Sequence, residues 1–258
     1  MQIKPHPALA HLVRHYLVLN SQQPVAGTHR LFADGNTGLV FNLENRTSLI
    51  YGQVNTWHDL SLSGNIDLIV VVFRPYGVYH LWGVPATVLN DRFLPAEDVF
   101  THINHLSAAL LKSNLNERIN LLDNFLLKQL DKSIPPDPVL VQAVELITTH
   151  EGMLPVQSLL QKIKVNERTL ERKFKLHTGI SPKHFSGIVR LNTSAKRMQR
   201  MKDEDRLTGI AYESGYFDQA HFIKEFKKYT GITPHQYHQE VRPLALNFIT
   251  LSDLYNPL

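Results

Sequence analysis

The chain of 258 residues contains no cysteine. Without a thiol it can form no disulfide, no thiolate zinc site and no cysteine nucleophile. It also has no run of about 18 apolar residues, the length that a membrane-spanning helix needs, and the first nine residues carry no signal sequence. Because 43% of the residues are hydrophobic and 19% are charged, the composition is typical of a folded chain. The sequence predicts a soluble, cytoplasmic protein.

Motifs of enzymes and metalloproteins are also missing. There is no glycine-rich phosphate loop, no GxSxG nucleophile elbow and no HExxH zinc motif. His11 and His15 lie four apart on a predicted helix, and His102 and His105 lie three apart on another. Such spacing can hold a metal, but neither pair has a third ligand nearby, and we interpret all four as packing or surface histidines. We expect no enzyme activity, no metal and no cofactor.

Charge is divided unevenly along the chain. Residues 1–138 carry 10 Lys and Arg against 11 Asp and Glu, whereas residues 139–242 carry 17 against 11. A basic region beside a near-neutral one suggests that the basic region meets a polyanion. A randomly uneven surface would give similar numbers, so charge alone leaves both interpretations open.

Proline marks the boundary between these regions. Three prolines fall within Ile134–Pro138, where they cannot continue a helix or pair within a sheet, which predicts an extended linker. We therefore divide the chain into an amino-terminal domain (1–133), a linker (134–138), a carboxy-terminal domain (139–242) and an apolar tail (243–258).

The amino-terminal domain shows a β-rich pattern. Residues 37–43 and 66–73 read as strands between turn residues, and the unbroken apolar run of the second predicts burial on both faces. After Pro95 the apolar residues recur at helical spacing, which predicts helices near Glu97–Lys112 and Asn116–Asp131. The apolar stripe of the second helix suits either dimer packing or docking onto its own domain.

Aromatic residues of this domain allow two interpretations. They either line a small-molecule pocket or belong to the core, and core is the more frequent role for any single aromatic residue. The residues concerned are Phe32, Tyr51, Trp57, Tyr76, Tyr79 and Trp82.

The carboxy-terminal domain contains an internal repeat. Shifting the chain by 52 residues places Leu170–Phe185 over Phe222–Tyr237, and six of these sixteen positions are identical. Chance agreement would give about one identity, so the segment is a duplicated unit. The identical pairs are Phe174/Phe226, Lys175/Lys227, Thr178/Thr230, Gly179/Gly231, Ile180/Ile232 and Pro182/Pro234.

Each unit reads as a helix, a tight turn and a second helix. Asn166 and Asp218 are suited to cap the two second helices, and Gly179 is suited to the left-handed position that ends the first of them. The segment from Pro182 to about Met201 reads as a long helix between the units. About 18 residues at ~1.5 Å each span ~27 Å, which with the flanking helices approaches the ~34 Å between successive major grooves on one side of DNA.

Polar residues cover the outward faces of both second helices. Arg and Gln can read guanine and adenine edges, while Lys and helix N-termini meet phosphates. One such helix alone is as well explained by a solvated surface, but two copies with a joint basic excess favour DNA binding. The candidate DNA-binding residues are Arg168, Glu171, Arg172 and Lys175 in the first unit and Gln219, Ala220, His221, Lys224, Lys227 and Lys228 in the second.

Gly215–Tyr237 closely resembles the signature of AraC/XylS-type bacterial transcription regulators, G-[FY]-x-D-x-x-[HY]-F-x-x-x-F-K-x-x-x-G-x-x-P-x-x-[YF]. The resemblance extends back to about Pro138 and implies a seven-helix DNA-binding domain with two helix-turn-helix units joined by a helix. The family's base-contacting positions correspond to Arg168, Glu171 and Arg172, and to Gln219, Ala220, His221 and Lys224. Lys164 departs from the usual turn glycine, and Ala220 can offer a base only its methyl group.

The amino-terminal segments 34–43 and 73–86 resemble an uncharacterised sensor module often fused to this DNA-binding domain. The resemblance implies effector sensing or dimerisation. Two alternatives stay open, in which the module is a ligand-free interaction platform or an enzyme acting on a small metabolite.

The expected fold is α+β in two domains, with a β-rich domain ending in helices followed by an all-α domain. Its expected partners are double-stranded promoter DNA, a small-molecule effector, RNA polymerase and a second copy of the chain, with no membrane.

Overall fold

The computed structural model describes residues 1–21, 23–199 and 207–240. An amino-terminal β-rich region is followed by a helical region, as the expected fold class requires. Within the described ranges, no helix combines the length and apolar character needed to cross a membrane. The predicted tail 243–258 lies outside the described residues, as do the last residues of the predicted long helix.

The described residues contain eight strands, eleven α-helices and two short 3-10 helices, Pro7–Leu9 and Ala96–Asp98. The strands are β1 Gln2–Ile3, β2 Val13–Asn20, β3 Val25–Phe32, β4 Thr37–Asn42, β5 Thr47–Tyr51, β6 Trp57–Gly64, β7 Asp67–Phe73 and β8 Phe93–Pro95. The helices are α1 Gly77–Trp82, α2 Ala86–Leu89, α3 Ile103–Leu111, α4 Leu115–Leu130, α5 Pro138–Thr149, α6 Val156–Ile163, α7 Glu167–Thr178, α8 Pro182–Gln199, α9 Leu207–Glu213, α10 Gln219–Thr230 and α11 Pro234–Glu240.

The strands form two antiparallel sheets. One has the order β1-β2-β7-β4-β5-β8, and β3 pairs with β6 in the other. The apolar run of β7 lies between β2 and β4, where Val70 pairs with Leu17 and Val40. Because side chains alternate across a strand, Ile69, Val71 and Phe73 join the main core while Leu68, Val70 and Val72 join a second one between the sheets. The predicted burial of both faces is confirmed.

Two local predictions in this region are wrong. His11 and His15 do not share a helix, because His11 lies in a turn and His15 lies in β2, which pairs with β7. The helix predicted from Glu97 begins only at Ile103, since His102 adopts a left-handed conformation (φ 66°) that breaks it. Within the described residues no cluster of three His, Cys, Asp or Glu side chains is placed to hold a metal.

The helix α4 docks onto its own region. Leu122 and Leu126 on its apolar stripe are fully buried. Asp123 accepts a hydrogen bond of 2.6 Å from the Tyr16 hydroxyl, and Arg118 binds both carboxylate oxygens of Asp67 at 3.0 Å. Of the two roles left open for the stripe, packing against its own sheet is the one found.

The predicted linker is shorter than expected. Pro138 is the first residue of α5, where a missing N–H costs no hydrogen bond, and the Asp137 side chain accepts hydrogen bonds from the Val139 and Leu140 amides. The last of the three prolines therefore begins a helix, although the sequence pattern predicts that it breaks one.

The two regions share a core and pack directly against each other. The main hydrophobic cluster contains Phe32 and Tyr76 from the first region together with Phe185 and Tyr237 from the second. Next to it, the rings of His80 and His177 stack with centroids 5.1 Å apart. His80 is fully buried, and its Nδ1 lies 3.0 Å from the Ile134 carbonyl oxygen.

Burial at this contact lowers the pKa of both histidines. The pKa of His177 falls to about 4, because burial disfavours its charged form and His80 and Lys173 lie nearby, although Asp137 acts in the opposite direction. Tyr79 also contacts the His177 ring, at 4.3 Å between centroids. Neutral imidazole is therefore the form that this interface accommodates.

We predict that acid weakens the protein through His177. Below its ordinary pKa of about 6.5 the unfolded chain takes up a proton that the folded chain excludes down to about pH 4, so the unfolding free energy falls as pH falls across this window. His177→Phe keeps an aromatic ring and should reduce this loss by on the order of 1–3 kcal/mol. Urea unfolding at pH 4.5 and 7.5 measures it; an unchanged pH dependence in the variant would contradict it.

Candidate nucleic-acid interface

The first helix-turn-helix unit consists of α6, a short turn and α7. Lys164 ends α6 in the left-handed conformation (φ 54°, ψ 44°), which glycine adopts more easily than lysine. The Asn166 side chain accepts a hydrogen bond of 2.8 Å from the Thr169 amide and so begins α7. The unit therefore forms although its turn lacks the expected glycine.

The two faces of α7 differ as the sequence predicts. Leu170 and Phe174 are fully buried and His177 is 8% exposed. The opposite face presents Arg168, Arg172 and Lys175 to solvent, with Glu171 half-buried beside them.

The second unit repeats this construction with α9 and α10. Gly215 forms the turn with φ 73°, and the Asp218 side chain accepts a hydrogen bond of 2.7 Å from the His221 amide. Phe222, Phe226 and Tyr229 face inward. The outward residues Gln219, Ala220, Lys224, Lys227 and Lys228 are exposed, and His221 is half-buried.

The long helix α8 lies between the two units. Ile188, Leu191 and Met198 are buried along it. Arg190 on α8 binds Glu225 on α10 at 2.7 Å, and Arg197 donates to the Ser214 hydroxyl at 3.0 Å. These contacts join the second unit to α8, the helix that follows the first unit.

Sequence reasoning missed an apolar residue at the second turn. Phe217 directly precedes the Asp218 cap and is 85% exposed. Tyr212 on α9 is 61% exposed. The sequence signal for an exposed aromatic residue at this turn is a phenylalanine between Gly215 and Asp218. Such a phenylalanine is too common to identify a contact residue.

A cavity of about 270 Å³ lies between the two sheets and α8. Its walls are mainly apolar, and its polar groups include Arg14, His15 and Asp34 from the first region and Lys196 from α8. Burial lowers the pKa of His15 to about 4, helped by Arg14 nearby, so His15 is neutral at pH 7. Of the six aromatic residues considered from the sequence, Tyr51 lines the cavity, whereas Phe32 and Tyr76 belong to the main core and Trp57 is 39% exposed.

Two family models match the chain. Residues 1–95 match a domain of unknown function (DUF6597), and residues 159–240 match a helix-turn-helix domain. The second match covers the two units described above.

Curated relatives of this chain are transcription regulators. The transcriptional activator RhaS of Pectobacterium carotovorum is 35% identical over 71 residues, which are 28% of this chain and 25% of RhaS. The arabinose operon regulatory protein of Escherichia coli is 24% identical over 183 residues, which are 65% of this chain and 62% of that protein. The chain thus spans only about a quarter of the length of RhaS.

Solved structures add two likenesses. ToxT from Vibrio cholerae is 12% identical, covers 87% of this chain and 97% of its own, and superposes with a TM-score of 0.46. The C-terminal domain of AraT from Geobacillus stearothermophilus is 27% identical, covers 41% of this chain and 88% of its own, and gives a TM-score of 0.38.

We predict that the helix caps Asn166 and Asp218 contribute similar amounts to the free energy of unfolding. Asn166→Ala and Asp218→Ala should each lower the unfolding free energy by about 1 kcal/mol, because each leaves a helix N-terminal amide without its acceptor. Urea unfolding measures the loss. Asn166→Ser keeps an acceptor oxygen and is the matched control; a loss as large as that of Asn166→Ala would show that capping is not the cause.

Proposed function

We propose that this chain, whose carboxy-terminal region is an AraC-type helix-turn-helix domain, is a transcription regulator that reads promoter DNA with α7 and α10. The observation that carries the proposal is that both capped helices bury their apolar faces and leave all of their Arg, Gln and Lys residues except Lys173 in solvent. The homology of this region to RhaS and to the arabinose operon regulatory protein supports the same function.

The exposed side chains suit contacts with base edges. Arg168 and Arg172 each carry a planar fork of donors that fits the O6 and N7 acceptors of guanine, and Gln219 can bind N6 and N7 of adenine. Ala220 cannot form a hydrogen bond to a base, but its methyl group fits against thymine. Glu171, His221 and Lys224 complete the set that would face the grooves.

Other residues suit the phosphate backbone. Lys175 lies late in α7, and Lys227 and Lys228 lie late in α10, so that their charges would meet phosphates beside the groove rather than bases. The amide groups at the capped N-termini of both helices favour anions as well. These contacts would supply affinity without sequence preference.

The cavity between the sheets supports effector binding by the amino-terminal region. It combines apolar walls with two cations, Arg14 and Lys196, and one carboxylate, Asp34. Its ligand would have an apolar body and an anionic end. Because Asn192, Lys196 and Gln199 of α8 form part of the wall, a bound effector would contact the helix that carries both reading units.

Two alternatives give the amino-terminal region other tasks. In the first, it is a platform for a second copy of the chain or for RNA polymerase and needs no ligand. In the second, it is an enzyme that turns over a small metabolite. The cavity favours the sensor over both.

We predict different losses for base-reading and phosphate-binding residues. Arg172→Ala should cost about 1–3 kcal/mol at the best site and relax preference at one base pair, whereas Lys228→Ala should weaken binding to all sequences and flatten the salt dependence. The probes are duplexes that the full chain selects from a randomised pool, measured by electrophoretic titration at several salt concentrations.

Lys128→Ala is the control for these variants, because it removes an exposed charge from α4 in the other region. Equal losses of Arg172→Ala on selected and scrambled duplexes would refute base reading by this residue.

We predict that octanoate stabilises the protein more than octylamine or octan-1-ol does. At ten times its dissociation constant the shift in melting temperature should be about 3–5 °C. Val70→Phe fills the cavity and should abolish the shift with all three compounds, and Lys196→Met should remove the preference for the anion. No shift with any compound would favour the platform instead.

A further inference from the structure

The duplicated units share a distinctive corner where each reading helix ends. In the first unit Thr178 donates a hydrogen bond of 2.9 Å to the Phe174 carbonyl, and in the second Thr230 donates one of 2.7 Å to the Phe226 carbonyl. Each threonine is followed by a glycine in the left-handed conformation. We call Thr178-Gly179 and Thr230-Gly231 the Thr-Gly corners.

The amino-terminal region contacts the second corner through Arg30. Its Nη1 donates to the Thr230 carbonyl oxygen at 3.1 Å. Two neighbours hold this guanidinium in place: Asp59 binds its Nε and Nη2 at 2.6 and 2.8 Å, and the Trp57 ring lies 4.0 Å from its centre. Since Arg30 and Asp59 are paired across β3 and β6, the sheet presents a prearranged donor to α10.

Asn90 makes a similar contact with the first corner, to the carbonyl of its glycine rather than of its threonine. It directly follows α2, and its Nδ2 donates to the Gly179 carbonyl oxygen at 2.6 Å. Beside it, Tyr79 and His80 pack against His177 in the last turn of α7. Both reading helices therefore end against donors from the same region of the chain.

Both glycines are favoured by these contacts as well as by their backbone angles. A Cβ at Gly179 would lie 2.0 Å from Oδ1 of Asn90, and one at Gly231 would lie 2.6 Å from the Trp57 ring. The positive φ of 81° and 76° explains glycine at each corner on its own. The close approach is a second, independent constraint that falls at equivalent positions.

The contact continues into the helix that follows each corner. Phe32 packs against Tyr237 with centroids 6.0 Å apart. A Cβ at Gly35 would lie 2.9 Å from the ring of Phe185, the counterpart of Tyr237 in the first unit. One short stretch, from Arg30 to Gly35, thus reaches both units.

We propose that the amino-terminal region holds both Thr-Gly corners through the hydrogen bonds of Arg30 and Asn90, and we call this pair of contacts the grip. In the grip, Arg30 and Asn90 are positioning residues that fix the orientation of α7 relative to α10 for reading DNA. The grip leaves the reading faces uncovered, because Arg168 and Arg172 and Gln219 and Lys224 remain exposed. The existence of the grip follows from the geometry alone, whereas its consequence for DNA binding rests on the proposed function.

The first test measures the grip without DNA. Because the chain has no cysteine, Lys162→Cys and Glu213→Cys place two spin labels at exposed sites on α6 and α9, one in each unit. Pulsed electron resonance on the full chain should give one narrow distance distribution. Arg30→Ala with Asn90→Asp should broaden its width at least twofold, because both donors to the corners are lost.

Matched variants separate this effect from general loss of structure. Asn90→Asp is isosteric but cannot donate to a carbonyl, and Arg30→Lys keeps a donor and should restore most of the narrow distribution. Arg92→Ala removes an exposed arginine of the same region and should change nothing. A distribution that stays narrow in the double variant, with unfolding still cooperative, overturns the grip.

The second test measures how the grip affects DNA binding. It uses selected duplexes in which the two segments that the chain contacts are moved apart by one to five base pairs. At an added separation of five base pairs, about half a turn of DNA, the affinity of the unmodified chain should fall at least tenfold. The loss of affinity in the double variant should be at least threefold smaller. A broadened distance distribution with an unchanged spacing preference overturns the positioning role. Failure of the unmodified chain to bind any duplex refutes the proposed function, and the distance measurement still decides whether the grip exists.

Discussion

The architecture depends on one helix, α8, against which the amino-terminal region and both helix-turn-helix units pack. Phe185 and Ile188 are buried near its beginning and Met198 near its end, while Asn192 and Lys196 form part of the cavity wall. The helix α8 has 18 residues and is ~27 Å long at ~1.5 Å per residue. It lies between α7 and α10 and also forms part of the wall of the candidate effector site. Within the described residues, the amino-terminal region contacts the helical region at this helix and at the two corners.

The strand β3 connects the cavity to the grip. Successive side chains of a strand point to opposite faces, so Leu31 lines the cavity while its neighbour Arg30 reaches the second corner. A ligand packed against Leu31 would therefore bear on the strand that holds α10. No long pathway is needed, since adjacent residues of one strand serve the two sites.

The sequence predicted most of the helical region because its elements carry local signals. Caps at Asn166 and Asp218, turn glycines and a duplicated pattern each depend on neighbouring residues only, and the structure contains them all. The spacing of His11 and His15 predicts a helix, whereas His15 lies in a strand that depends on pairing with β7, far along the chain. The grip could not be predicted at all. Arg30 and Asn90 have no local pattern, and their partners lie 200 and 89 residues away.

Different residues grip the two corners because the corners differ in burial. Gly179 and Ile180 are buried, whereas Gly231 and Ile232 are half-buried. A charged donor in the first setting would lose much of its hydration, which a single carbonyl cannot replace, and the neutral amide of Asn90 avoids this loss. At the second corner water still reaches the guanidinium of Arg30, and Asp59 balances its charge. The two corners have the same sequence, and the contacting region meets each with the donor that its degree of burial permits.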